Sequence, residues 1–110
     1  MQVLLHVICT RGQSLREAIS RNGKLQNHNF TVSEHKRHGR SKGWAKVHST
    51  LPDRHGAINL EWDADTGVLV SRVITRRRGR PNLIVGDFVD FLLSNFPRRI
   101  TAINIILPRS

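Results

Sequence analysis

The segment Pro81–Phe96 constrains the fold of this chain more than any other stretch. Wound as a helix, it places Leu83, Asp87, Asp90 and Ser94 on one narrow line. Ile84, Val85, Phe88, Val89, Phe91, Leu92 and Phe96 cover nearly all the rest. An apolar arc that wide predicts a core helix rather than a surface one. Pro81 suits a first helical position, where its missing N–H costs nothing. Pro97 closes the helix, because a proline disfavours the α conformation in the residue before it.

The remaining pattern is mostly strand. Gln2 to Cys9 carries Val3, Leu5 and Val7 on one face and Leu4 and Ile8 on the other, with His6 as a hydrogen-bonded interruption of the core. Ile100 to Leu107 is likewise apolar on both faces, so both segments are expected centrally in a sheet. Ser14-Leu-Arg-Glu17 fits a capping box opening a short helix, with Gly23 as its C-cap. Phe30 and Val32 alternate with polar residues as a strand, and a strand carrying Trp44 and Val47 runs from Gly43 to Ser49. Ile58, Leu60 and Trp62 alternate with Asn59, Glu61 and Asp63, and Val68 to Thr75 returns after the turn Asp63–Gly67. The predicted order is β-α-(β)-β-β-β-α-β. It describes a single α+β domain over residues 1–110: a two-layer sandwich with a mixed, mostly antiparallel sheet and two helices on one face. Residues 34–43 contain no apolar side chain and are expected as a mobile basic loop.

Charge points to function. Eighteen Lys and Arg against eight Asp and Glu give a formal net charge of +10. So large an excess on a small body is relieved by an acidic partner, of which nucleic acid is the commonest. Two clusters concentrate it. Lys36, Arg37, Arg40 and Lys42 lie in the apolar-free loop with His35 and His38. Arg72, Arg76, Arg77, Arg78 and Arg80 span the end of a strand and the start of the core helix. Arginine forks pair with phosphate oxygens, and neutralised phosphates release counterions. Arg76, Arg77, Arg78, Arg80, Lys36, Arg37, Arg40 and Lys42 are therefore the candidate nucleic-acid ligands, with DNA and RNA both open. Beside Pro81, the free amides of a helix N-terminus add to the arginines as a candidate phosphate pocket.

Arg78-Gly79-Arg80-Pro81 resembles the core of the AT-hook, a short DNA minor-groove motif, over this tetrapeptide alone. The resemblance implies that Arg78 and Arg80 enter the groove while Gly79 admits the backbone. The same residues also read as a turn and a helix start. Pro52-Asp53 followed by Glu61-Trp-Asp63 resembles the Pro-Asp, Glu-x-Lys pattern of metal nucleases, with Asp63 standing where that pattern has lysine. Asp63 and Asp65 read more simply as turn formers.

The binding reading has two rivals. His28, His35, His38, His48 and His55 with Lys46 supply the parts of a metal-independent ribonuclease, though spacing selects no pair. The other rival is a protein-interaction or regulatory subunit whose basic face docks an acidic partner. The balance favours a binding protein over an enzyme. No motif implies a cofactor, a metal or a specific catalytic residue. Cys9 is alone, in an apolar run too short to span a membrane and without a cleavage site after it, so the expected location is cytoplasmic. Exposed sheet edges leave room for a homodimer.

Overall fold

The computed structural model describes residues 2–10, 12–34, 36–76 and 79–108. The strands are β1 (Gln2–Cys9), β2 (Phe30–Glu34), β3 (Trp44–Ser49), β4 (Gly56–Asp63), β5 (Val68–Thr75) and β6 (Ile100–Ile106). Helix α1 (Leu15–Arg21) follows β1 and α2 (Pro81–Asn95) precedes β6. A 3-10 turn over Leu25–His28, not foreseen from the sequence, leads into β2. The strands form one six-stranded sheet in the order β2-β3-β4-β5-β1-β6.

Every neighbouring pair is antiparallel, which narrows the mixed sheet expected from the sequence. The connections give the reason. β2 to β5 form a meander, and α2 carries the chain over β1, so β6 runs parallel to β5 without touching it. β1 is interior, as expected of a strand apolar on both faces. β6 is not: it is an edge strand, and Ile105, Ile106 and Leu107 stay exposed. Since α2 packs against β4 and β5, only Ile100 and Ile103 of β6 reach the core.

Both helices cover the same face. Leu15 and Ile19 of α1 and Ile84, Phe88, Phe91 and Leu92 of α2 share one core with Val3, Leu5, Val7, Ile58, Leu60, Leu69 and Val73. The i, i+4, i+7, i+8 spacing of the α2 residues is the helical stripe that one sheet face requires. Phe88 meets Phe30 edge-on at 6.1 Å and stacks on Phe91 at 6.4 Å. The polar line on α2 holds loops in place: Asp90 Oδ2 lies 3.1 Å from His28 Nδ1, and Asp87 receives Arg54. Ser14 caps α1 by accepting from the Glu17 amide, but Glu17 turns to Arg21 instead of reaching back, and Asn22 rather than Gly23 is the C-cap. In the β4–β5 turn the Gly67 amide donates to Asp63, and Gly67 takes a φ of 69°.

No helix among the described residues is long and apolar enough to cross a membrane. Among the described residues, the second face of the sheet carries no helix. His6 lies on that face, half-buried beside Val70 and Asn104, and not in the core.

Phe88→Ala is expected to lower unfolding stability by about 3–5 kcal/mol, and exposed Leu93→Ala by under about 0.5, in urea titrations. Burial pushes the Cys9 thiol pKa up, and the charge of Arg99 only partly offsets this. Alkylation of Cys9 by iodoacetamide near pH 8 should therefore be slow in native buffer and become fast once urea unfolds the chain.

Candidate nucleic-acid interface

On β3, Ala45 and Val47 point to the core, so Lys46 and His48 project from the open face. The sheet register places Lys46 beside Asn59, which pairs in turn with Arg72, and His48 beside Ala57, which pairs in turn with Ile74. The segment from Thr50 to His55 rises at the end of these strands. Together they enclose a cleft of about 540 Å³ whose lining includes Lys46, His48, His55, Asn59 and Arg76. Among the described lining residues Glu34 is the carboxylate, and Arg37 Nε lies 3.4 Å from it, offsetting its charge.

The wall formed by residues 50–55 is anchored to the rest of the fold. The Thr50 amide donates to Asn29 O at 2.8 Å, the Arg76 amide to His55 O at 2.8 Å, and the Arg80 amide to Arg54 O at 3.2 Å. Arg54 Nη1 reaches Asp53 at 2.9 Å and its Nε reaches Asp87 of α2 at 3.3 Å. Desolvation works against the guanidinium charge, but hydrogen bonds to Asp53 and Asp87 outweigh it and raise the Arg54 pKa further. His55 has a φ of 49°, a left-handed conformation that a residue with a side chain seldom adopts unless its surroundings enforce it. Gly79 closes the same corner. A Cβ there would come within 2.6 Å of Thr75 and 2.9 Å of Arg54 O. Gly79 and Pro81 thus turn the chain and start α2, the simpler of the two readings of the Arg-Gly-Arg-Pro tetrapeptide.

A smaller depression adjoins the cleft through Asn59 and includes Arg40, Trp44 and Arg72. Trp44 is buried on the open face, beneath the loop, with the guanidinium of Arg40 5.4 Å and that of Arg37 5.9 Å from its ring centroid. The loop is tied to this face by Ser41 Oγ donating to Glu61 at 2.8 Å and by the Trp62 amide donating to Gly43 O. Loop arginines and β5 arginines consequently share one face.

Of the eight candidate ligands, Arg76 lines the cleft, while Arg37 and Arg40 stack on Trp44 next to it. Lys36 and Lys42 are exposed on the loop. Arg80 is the exposed N-cap of α2, outside the cleft lining, and Arg77, Arg78 and His35 lie outside the described residues. Lys46, His48 and His55 stand out once the strands are paired; the alternation of Lys46 and His48 with Ala45 and Val47 is the signal that marks two of them as outward-facing. Arg54 had no signal, since its partner Asp87 is 33 residues away. Asp63 is a turn former, accepting from the Asp65 amide at 3.0 Å. Asp53 is engaged by Arg54 and Glu61 by Ser41, and no group of three or more His, Cys, Asp or Glu among the described residues is arranged to hold a metal.

No protein-family model, no curated protein and no solved structure matches this chain. Its function has to be read from the chemistry of the cleft.

Asp87→Asn, which keeps the side chain's shape and removes its charge, should loosen residues 50–55. Hydrogen–deuterium exchange at the Arg76 and Arg80 amides is expected to quicken by about tenfold, with the β1 amides unchanged.

Proposed function

We propose that this chain binds nucleic acid, holding phosphates on the open face of its sheet. The observation that carries this reading is one concave site lined by Lys46, Arg76, His48 and His55, where the nearby carboxylate of Glu34 is already engaged by Arg37. Arg72, Arg37 and Arg40 continue the positive surface away from the cleft. A volume of about 540 Å³ falls within the range that encloses small-molecule ligands and accommodates one or two sugar-phosphate units. Lys46 and Arg76 project from hydrogen-bonded strands or their immediate ends, so their backbones lose little freedom when a phosphate docks. A groove also suits a nucleic-acid strand better than it suits the flatter surface of an acidic protein.

This places the centre of binding at the cleft, with the loop cations extending it. Among the described residues of the second arginine cluster, Arg76 at the end of β5 is the one that lines this cleft.

Fluorescence anisotropy with labelled single-stranded RNA, single-stranded DNA and duplex DNA, each at rising salt, tests the proposal. Lys46→Ala with Arg76→Ala should weaken binding by at least about tenfold. It should also flatten the logarithmic salt dependence by about 1.8 for duplex DNA and about 1.4 for single strands. Lys36→Ala with Lys42→Ala should cost less. Absence of binding to all three probes at low salt would sink the reading.

A further inference from the structure

We infer that the cleft also cleaves RNA, by metal-independent transphosphorylation with His48 and His55 as the proton-transfer pair. The inference rests on the proposed binding of nucleic acid at this site and names RNA as the substrate class.

The fold makes a choice that spacing in the sequence does not. The chain has six histidines, and the cleft gathers His48 and His55 with Lys46 and Arg76. His38 is exposed on the loop and absent from the lining, and His28 is engaged with Asp90 beside α2. His48 stands on the floor, on β3. His55 stands at the foot of the wall, two residues before Ala57, the register partner of His48. One strand spacing across and two residues along separate their backbones by roughly 8 Å. Two imidazoles carried on backbones that far apart can flank a phosphodiester, with one ring toward the ribose and the other toward the leaving oxygen. Lys46, two residues from His48 on the same strand face, lies roughly 6.6 Å along β3. It and Arg76 are the cations available to the phosphoryl oxygens.

The backbone at His55 supports a functional role. Its left-handed φ of 49° is maintained by the Arg76 amide on its carbonyl and by the anchoring of Arg54 to Asp87. A glycine would take that conformation without strain, yet an imidazole stands there, facing the cleft.

The step balances without a co-reactant. One imidazole, neutral, takes the proton from a ribose 2′-hydroxyl, and the 2′-oxygen forms a bond to the adjacent phosphorus. The bond from phosphorus to the 5′-oxygen breaks, and the second histidine, as imidazolium, gives its proton to that oxygen. The products are a 2′,3′-cyclic phosphate and a free 5′-hydroxyl. Lys46 and Arg76 stabilise the charge that accumulates on the phosphoryl oxygens. Opposite protonation states of the two histidines require a bell-shaped pH–rate profile. Glu34, Lys46 and Arg76 are the other charged groups facing the pair.

The experiment uses the full chain with two labelled oligonucleotides, each with and without excess chelator: an all-deoxy strand and the same strand with one ribonucleotide. Expected are binding of both, cleavage only at the ribonucleotide, and a 2′,3′-cyclic phosphate end by mass spectrometry. His48→Ala and His55→Ala should each slow cleavage by at least about 100-fold, a loss far larger than any loss of affinity for the all-deoxy strand. His38→Ala should cleave normally. Should His48→Ala lose its circular dichroism signal, His48→Gln replaces it and must show the same loss of rate. Binding of both strands without cleavage overturns the catalytic inference and leaves the binding reading standing. Absence of binding overturns both. Cleavage that persists in both histidine variants, or that stops on chelation, overturns the assignment of His48 and His55.

Discussion

Packing of Ile84, Phe88, Phe91 and Leu92 against one side of the sheet is the constraint from which the rest of the molecule follows. A chain of 110 residues has one core to make, and α2 concentrates its largest apolar side chains on that face. With α1 beside it, the helix layer leaves the opposite face without a helix among the described residues. Residues on the strands therefore divide by parity. Those of one parity are the core, and those of the other supply an open surface whose composition can be set by something other than packing.

The helix does a second job through its polar line. Asp87 and Asp90 face neither the core nor open water alone; each receives a side chain from a distant loop. Through Arg54, α2 fixes the segment that walls the cleft, and the tight approach at Gly79 brings the end of β5 to the same corner. The position of His55 is thus tied to the most deeply buried part of the fold. A loop held in this way keeps its side chains placed, which matters for a phosphate site and more for proton transfer, where small displacements are costly.

Electrostatics organise the open face differently from the way a bare count of charges suggests. Arg37 divides its interactions between Glu34 and the Trp44 ring, and Arg40 lies over the same ring. The loop cations cover an indole whose nitrogen is buried without a hydrogen-bond partner among the described residues. Lys46, Arg72 and Arg76 have no acidic partner among the described ion pairs; Lys46 stands on β3 and Arg72 on β5, either side of β4, and Arg76 follows the end of β5. The proposed binding centre is where cations are both unneutralised and backed by sheet.

What the sequence by itself determined is local. The span and terminal proline of α2, the alternation in β3 and β4, the turn at Asp63–Gly67 and the Ser14 cap all depend on residues within a few positions of one another, and their periods are written into the chain. Charge likewise raises the expectation of an acidic partner without placing it. The tertiary structure decided what depends on distant neighbours. It put β6 at an edge, although β6 and β1 carry the same two-faced apolar pattern, because strand order is set by the crossover and not by composition. It paired Arg54 with Asp87 across 33 residues. It gathered Lys46 and His48 from β3, His55 from the loop before β4 and Arg76 from just beyond β5 into one cleft. Periodicity assigns a residue to a face, but only the pairing of strands brings residues from different parts of the chain to the same cleft.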